Sequence, residues 1–100
     1  MTEKRQHPRK AIQLPVFYRD SAGAEVEGTC SDLSIGGAFV ETTTPLPFGA
    51  KTTLHLQLPG LETRIQVEAT VRWTKPSGMG LQLGLMGARE THALVALLSR

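Results

Sequence analysis

The sequence predicts a mostly β protein of six short antiparallel strands and one C-terminal helix, closed into a small barrel or a sandwich. Three observations lead to this prediction. Apolar and polar residues alternate with a period of two over most of the chain, as they do in half-buried strands. Turn-forming residues recur about every ten positions. No helical pattern lies between the strands, so parallel crossovers would have no connecting helix.

Three strands are predicted in the first half of the chain. The first strand contains Pro15, which must lie at an edge or a bulge because it has no N–H to donate to a ladder. The apolar face of this strand consists of Ile12, Leu14, Val16 and Tyr18. A turn at residues 20–23 precedes a second strand over about 24–33, and a third strand follows over 38–42, after the glycine pair at 36–37.

The second half predicts three more strands and the helix. A loop at residues 46–49 precedes a hairpin whose turn is the Pro-Gly pair at 59–60. Its two strands present Leu54, Leu56 and Leu58 on one side of the turn and Ile65, Val67, Ala69, Val71 and Trp73 on the other. After a turn at 76–78, the last strand has Leu81, Leu83 and Leu85 on one face. A helix is predicted over 88–99 to cover one end, because Ala93, Leu94, Leu97 and Leu98 follow helical spacing.

Length and charge indicate one domain with an uneven charge distribution. The chain has 100 residues and a net charge of +2, which argues against a general nucleic-acid binder. Its first ten residues carry +3, from four basic side chains against Glu3, whereas the rest carries −1, from 7 basic and 8 acidic side chains. We therefore expect a flexible basic arm over residues 1–11 and a barrel domain over 12–100.

The single cysteine and the absence of long apolar runs indicate a cellular location. Cys30 cannot form an internal disulfide, which fits a reducing compartment. No apolar run approaches the roughly 18 residues that a membrane-spanning helix needs, and the first residues do not resemble a signal peptide. We expect a cytoplasmic protein that does not insert into a membrane and holds no cofactor or metal.

Catalytic patterns are missing from the sequence. His7, His55 and His92 show no spacing that pairs them with Cys30 or a serine, and Ser34 does not lie in the G-x-S-x-G motif of hydrolases. The glycines that flank the last strand are not followed by the helix start of a dinucleotide-binding loop. We therefore do not expect an enzyme.

The first motif that suggests binding is the arm sequence Arg5-Gln6-His7-Pro8-Arg9. Pro8 favours an extended conformation at the preceding residue, so this segment is more plausibly an arm than a helix. Guanidinium groups suit phosphate because they donate two parallel hydrogen bonds, and their flat faces stack on bases. The alternative interpretation is a basic tail that serves only solubility.

The second motif is Asp32-Leu33-Ser34-Ile35-Gly36-Gly37. If residues 32–34 are extended, the side chains of Asp32 and Ser34 lie on one face, and Leu33 points into the core. A carboxylate and a hydroxyl can bind a polar ring edge, and the glycines permit a sharp bend or a close ligand. The alternative is a serine-capped turn with glycines at positive φ.

In combination, these motifs resemble the PilZ domain family of bacterial cyclic di-GMP receptors. That family combines R-x-x-x-R in an N-terminal arm with D/N-x-S-x-x-G at a strand and turn. Arg5 and Arg9 match the first motif, and Asp32, Ser34 and Gly37 match the second. The resemblance covers essentially the whole chain and implies a six-stranded antiparallel β-barrel, a split barrel closed by a C-terminal α-helix.

The resemblance also implies roles for individual residues. Arg5 and Arg9 would clamp the phosphates and the guanine edge, Asp32 and Ser34 would contact guanine, and Gly37 and its neighbour Gly36 would keep the floor of the site clear. Lys4 precedes the first arginine, where the family's residue influences whether one or two ligands bind, so the stoichiometry stays open. Trp73, at the end of its strand, is either a core or barrel-end residue or a contact to guanine.

The sequence therefore predicts a non-catalytic cyclic di-GMP receptor that acts on a separate effector protein. The alternative from another class is a PilZ-fold module that binds protein without nucleotide. Single-stranded nucleic-acid binding is poorly supported, because only 5% of the residues are aromatic and most of these lie on apolar faces.

Overall fold

The computed structural model describes residues 10–58 and 64–99, and in these ranges the chain forms six β-strands and one α-helix. The elements are β1 (Lys10–Arg19), β2 (Glu25–Leu33), β3 (Gly37–Glu41), β4 (Lys51–Leu56), β5 (Ile65–Lys75), β6 (Gly78–Leu83) and α1 (Ala88–Leu98). The arm residues Lys4, Arg5 and Arg9 and the predicted Pro-Gly turn at 59–60 lie outside the described residues.

The strands close into a barrel in the order β1-β2-β3-β6-β5-β4, and every pairing is antiparallel. This confirms the predicted fold class and selects the barrel over the sandwich. Four neighbouring pairs are consecutive along the chain, but β3 with β6 and β1 with β4 are not. Within residues 10–58 and 64–99, the β1–β4 ladder joins two residue pairs, Val16 with Leu56 and Phe17 with His55.

Pro15 lies next to a bulge, as its lack of an N–H predicted. Its carbonyl accepts a hydrogen bond from the Gln57 N–H at 3.2 Å, just beyond the last residue of β4. The N–H and C=O of a strand residue point to the same side, so an N–H at position 15 would point toward the end of β4. Proline is tolerated here because the ladder with β4 ends at this point. A bulge between Ala11 and Leu14 lies beside it.

The barrel interior is filled by alternate residues of all six strands. The largest fully buried side chain is Tyr18, whose hydroxyl lies 2.8 Å from Thr42 Oγ1 and donates to the Thr44 carbonyl at 2.8 Å. These hydrogen bonds tie β1 to the segment that follows β3. The apolar core also contains Leu14, Val16, Cys30, Leu33, Val40, Leu54, Leu56, Val67, Val71, Met79 and Leu81.

Helix α1 packs on the barrel through the apolar positions that its spacing predicted. Leu94 and Leu97 are buried in the core cluster, and Ala93 and Leu98 pack against it. The helix ends one residue earlier than predicted, with Ser99 as its C-cap. Over residues 10–58 and 64–99, no helix has the length and apolar character needed to cross a bilayer.

The start of β1 and the positions of Leu85 and Trp73 differ from the sequence expectations. Strand β1 begins at Lys10, two residues before the predicted start of the barrel, because Lys10 and Ala11 pair with Leu33 and Asp32. The expectation for Leu85 is wrong: β6 ends at Leu83 and the Leu85 side chain is 98% exposed. The core alternative for Trp73 is also wrong, because a bulge turns this side chain outward.

Candidate functional site

The turn after β2 is organised by the Ser34 side chain. The Gly37 N–H donates to Ser34 Oγ at 3.1 Å, and the Ser34 N–H donates to the Gly37 carbonyl at 2.8 Å. The Gly36 carbonyl accepts from the Leu83 N–H at 3.0 Å, which joins the turn to β6. Ser34 is therefore a buried residue that caps this turn, and the serine-capped alternative describes the observed conformation.

The glycines in this turn differ from the expected backbone geometry. Among the described residues, positive φ angles occur only at Gly23 and Gly49, so the expectation of positive φ at Gly36 and Gly37 is wrong. The sharp bend is held instead by the hydrogen bonds between Ser34 and Gly37.

Asp32 lies on the outer side of β2 because of a bulge. Cys30 pairs with Val40 and Asp32 pairs with Phe39, so β2 has one extra residue, Ser31, between these pairs. Cys30 and Leu33 are both fully buried, as the prediction for Leu33 required, and Asp32 is partly buried. Asp32 and Ser34 do not share an open face, because the Ser34 side chain turns into the buried bend.

Cys30 lies beneath this bulge and is not a nucleophile. Burial raises the pKa of its thiol to about 11, and the nearby Asp32 carboxylate adds to the increase. Hydrogen bonding with the Asp32 backbone lowers the thiol pKa, and this effect is smaller than that of burial. The thiol therefore stays protonated at neutral pH.

A second bulge, in β5, places Trp73 on the same outer row as Asp32. Val71 pairs with Leu81 and Trp73 pairs with Gly80, so Arg72 is the extra residue. Gly80 in turn pairs with Phe39, and Phe39 pairs with Asp32. The row therefore crosses β2, β3, β6 and β5 and spans three inter-strand spacings, roughly 14 Å measured along the curved wall of the barrel.

Aromatic side chains cover the β3–β6–β5 part of this row. The ring centroids of Phe39 and Trp73 are 5.3 Å apart, and the ring planes are 18° from parallel. Lys75 Nζ lies 5.2 Å from the centroid of the Phe39 ring. Trp73 is 48% exposed, so the patch presents a flat aromatic surface beside a cation.

The start of β1 brings the end of the arm to this row. Lys10 pairs with Leu33, and Ala11 pairs with Asp32. The backbone that follows Arg9 therefore enters the barrel directly opposite the Asp32 motif. The residues that directly follow the arginine motif in the sequence therefore pair with the strand that carries Asp32, 23 positions after Arg9.

Two depressions of about 290 and 190 Å³ that are lined by described residues lie away from the row, along β4, β5 and the segment after β6. The described part of the chain contains no group of three or more His, Cys, Asp or Glu side chains that could hold a metal ion. The row offers a carboxylate acceptor, an aromatic surface and Lys75, which suit a flat ligand with N–H donors and negative charge.

Sequence reasoning missed Phe39, Gly80 and Lys75. One signal was present for Phe39, since its neighbours Ala38 and Val40 are buried and alternation therefore puts the phenyl ring outside. Gly80 could not be found in this way, because its neighbours in the row come from β3 and β5 through a pairing that the sequence does not show.

Comparisons with known proteins give one family. A family model described as the PilZ domain matches residues 3–100. A search of curated proteins gave no match. The similar solved structures include the Bacillus subtilis inhibitor of motility (MotI/DgrA), with 26% identity and a TM-score of 0.74 over 96% of this chain. This chain spans 50% of the length of that protein.

Two further structures show the same fold at lower identity. The PilZ domain of CeSA from a cellulose-synthesizing bacterium has 20% identity and a TM-score of 0.71, with 90% of this chain and 93% of that chain covered. The PilZ domain of YcgR from Escherichia coli, solved with cyclic di-GMP, has 14% identity and a TM-score of 0.73, with 95% and 88% covered.

Proposed function

Because the chain belongs to the PilZ domain family, whose members are generally cyclic di-GMP receptors, we propose that it binds cyclic di-GMP and acts without catalysis of its own. The observation that carries this proposal is the register between β1 and β2, which places Lys10 and Ala11 opposite Leu33 and Asp32. This register supports a site in which the arginine motif, which directly precedes Lys10 in the sequence, acts together with the Asp32 motif.

Each site residue has a proposed role. Arg5 and Arg9 clamp the ligand through its phosphates and a guanine edge, since guanidinium groups bind phosphate with paired hydrogen bonds. Asp32 accepts hydrogen bonds from guanine N–H groups, and Trp73 contacts a guanine ring. Lys4 influences how many ligand molecules bind.

The turn residues act beside them. Ser34 contacts guanine in the proposal, and in the described conformation its hydroxyl holds the Gly37 N–H at 3.1 Å. Gly36 and Gly37 keep the surface below the ligand free of side chains. The turn therefore sets the position of the backbone next to Asp32.

The proposed output is a changed surface for a separate effector protein. A ligand that contacts both the arm and the barrel orders the part of the arm that precedes β1, residues 1–9, against the barrel, at a cost in conformational entropy that lowers the net affinity. The ordered arm and the ligand together form a surface that the unliganded protein lacks. We place this function in the cytoplasm.

Titration calorimetry with cyclic di-GMP tests the proposal. Wild type should bind, and Arg9→Ala and Asp32→Ala should each weaken binding about tenfold or more, because each removes charged hydrogen bonds worth roughly 1.5–3 kcal/mol. Arg89→Ala and Glu27→Ala are matched controls, because they remove exposed charges on α1 and on β2 away from the row.

Two outcomes would contradict the proposal. Absence of heat with wild type at micromolar protein would favour the PilZ-fold module that binds protein without nucleotide. Equal affinity for cyclic di-AMP would contradict the assignment of guanine recognition to Asp32 and Ser34.

A further inference from the structure

Trp73 is held in an unusual position for a residue of its size. It is 48% exposed on the outside of the barrel, although Val71, two residues before it, is fully buried. The extra residue Arg72 produces this change of side. A large apolar side chain at such a position points to a binding role.

Gly80 forms the seat beneath the indole ring. A Cβ atom at this position would collide with Nε1 and Cε2 of Trp73 and would lie 2.8 Å from Cδ1. The backbone itself does not require glycine at this position, because positive φ among the described residues is confined to Gly23 and Gly49. The reason for glycine at position 80 is therefore the space that the indole occupies.

Phe39 supports the indole from the side of β3. The two rings stack at 5.3 Å and 18°, across the glycine that separates them in the row. Phe39 is itself seated over Gly78, where a Cβ would lie 2.6 Å from the phenyl Cζ. One ring face of the indole is thus covered by the phenyl ring, while nearly half of the side chain stays accessible.

We propose that Phe39 and Gly80 are positioning residues that hold the Trp73 indole as a preset stacking platform for a base of the bound nucleotide. This inference rests on the proposed function and extends it from the contact residue to the two residues that orient it. Bases stack on aromatic rings because the faces of both are flat and apolar, and a ring that is already fixed loses little freedom on binding.

A double-mutant cycle on the full chain tests the proposal, with cyclic di-GMP as the probe and calorimetry as the readout. Trp73→Ala should weaken binding about fivefold or more, as loss of a base-stacking ring does. Gly80→Ala should weaken binding by a similar factor in the wild-type background. In the Trp73→Ala background, Gly80→Ala should change the affinity less than about twofold, because no indole is left to displace.

Fluorescence provides a second readout. Trp73 is the single tryptophan of the sequence, so emission excited at a wavelength that tyrosine does not absorb reports on this residue alone. Cyclic di-GMP should quench the emission of wild type. Phe39→Leu, which keeps an apolar side chain over Gly78 but removes the stacked ring, should shift the emission of the free protein and weaken binding. Gly87→Ala is the control glycine variant, since its Cβ would meet the end of one flexible side chain, Oε1 of Glu90 at 2.6 Å and Cδ at 3.8 Å.

The outcomes separate this inference from the proposed function. If wild type binds and Gly80→Ala weakens binding equally in both backgrounds, Gly80 acts through the barrel and the inference is wrong, while the receptor function stands. Binding by wild type without any change in Trp73 emission would also show that the inference is wrong while the receptor function stands. If wild type does not bind cyclic di-GMP, the proposed function and this inference are both overturned.

Discussion

At the scale of single residues, the side chain of Ser34 links the ligand motif to the stability of the barrel. Its hydroxyl accepts the Gly37 N–H in a buried turn, so its removal leaves a buried donor without a partner. A residue of the binding motif therefore also has a structural role.

Ser34→Ala should lower the free energy of unfolding by about 1–2 kcal/mol, which corresponds to a fall in Tm of roughly 4–15 °C for a domain of this size. Thermal unfolding followed by circular dichroism measures this. Ser77→Ala, at an exposed position in the β5–β6 turn, should leave Tm within about 2 °C. An unchanged Tm for Ser34→Ala would show that the hydroxyl does not support the turn.

Cys30 makes stability depend on pH in the alkaline range. Burial raises the pKa of its thiol from 9.0 to about 11 in the folded protein. Between these values the unfolded chain loses the thiol proton and the folded chain keeps it, so stability falls as pH rises from 9 toward 11. Compared with Cys30→Ala, wild type should lose up to about 2–3 kcal/mol more over this range.

Urea unfolding at pH 8, 9, 10 and 11 measures this difference between the two proteins. The comparison removes the contribution of the other groups that titrate in the same range, because both proteins contain them. Parallel pH profiles for wild type and Cys30→Ala would contradict the raised pKa.

At the scale of secondary-structure elements, two bulges form the candidate site. Ser31 in β2 and Arg72 in β5 are each an extra residue, and each turns the following residue outward. Strict alternation from Cys30 and Val71, both buried, would have placed Asp32 and Trp73 inside the barrel. The bulges instead put the carboxylate and the indole on one outer row.

These elements also show how far the sequence could predict the structure. Period-two alternation identified all six strands, because inward side chains must be apolar, and turn-forming residues identified the turns at 20–23 and 76–78. Alternation does not show where an extra residue enters a strand, so it left Trp73 in the core as an alternative. The β3–β6 pairing joins strands far apart in the chain, and the contact between Phe39 and Trp73 therefore could not be predicted.

The side chains of helix α1 that are buried against the barrel are those of Leu94 and Leu97. Leu94 is fully buried, whereas Val95 next to it is 45% exposed. Leu94→Ala should therefore destabilise the domain by about 2–5 kcal/mol, and Val95→Ala by less than about 1 kcal/mol. Chemical denaturation measures both values. Similar values for the two variants would show that the helix does not pack on the core through Leu94.

At the scale of the whole molecule, binding of cyclic di-GMP should clearly raise the free energy of unfolding and the Tm of this small barrel. Cyclic di-GMP at about 100 times its dissociation constant adds about 2.7 kcal/mol to the free energy of unfolding. In a domain of this size, the addition should raise Tm on the order of ten degrees or more. Arg9→Ala at the same ligand concentration should show a smaller rise.

The thermal shift should also grow with ligand concentration, because the stabilisation depends on the logarithm of the ligand concentration above saturation. A shift that does not differ between wild type and Arg9→Ala would contradict a role of the arm in binding.

The two-pair ladder between β1 and β4 has a consequence for motion. Among the described residues, few backbone hydrogen bonds close the barrel at this junction between β1 and β4. Amide protons at the junction should exchange with solvent through local opening sooner than those of the long β1–β2 ladder. Strand β1 therefore has a long ladder with β2 and a short one with β4. A ligand that binds the arm would act on β1, the strand that follows the arm, and the β1–β4 junction is where this strand can separate most easily.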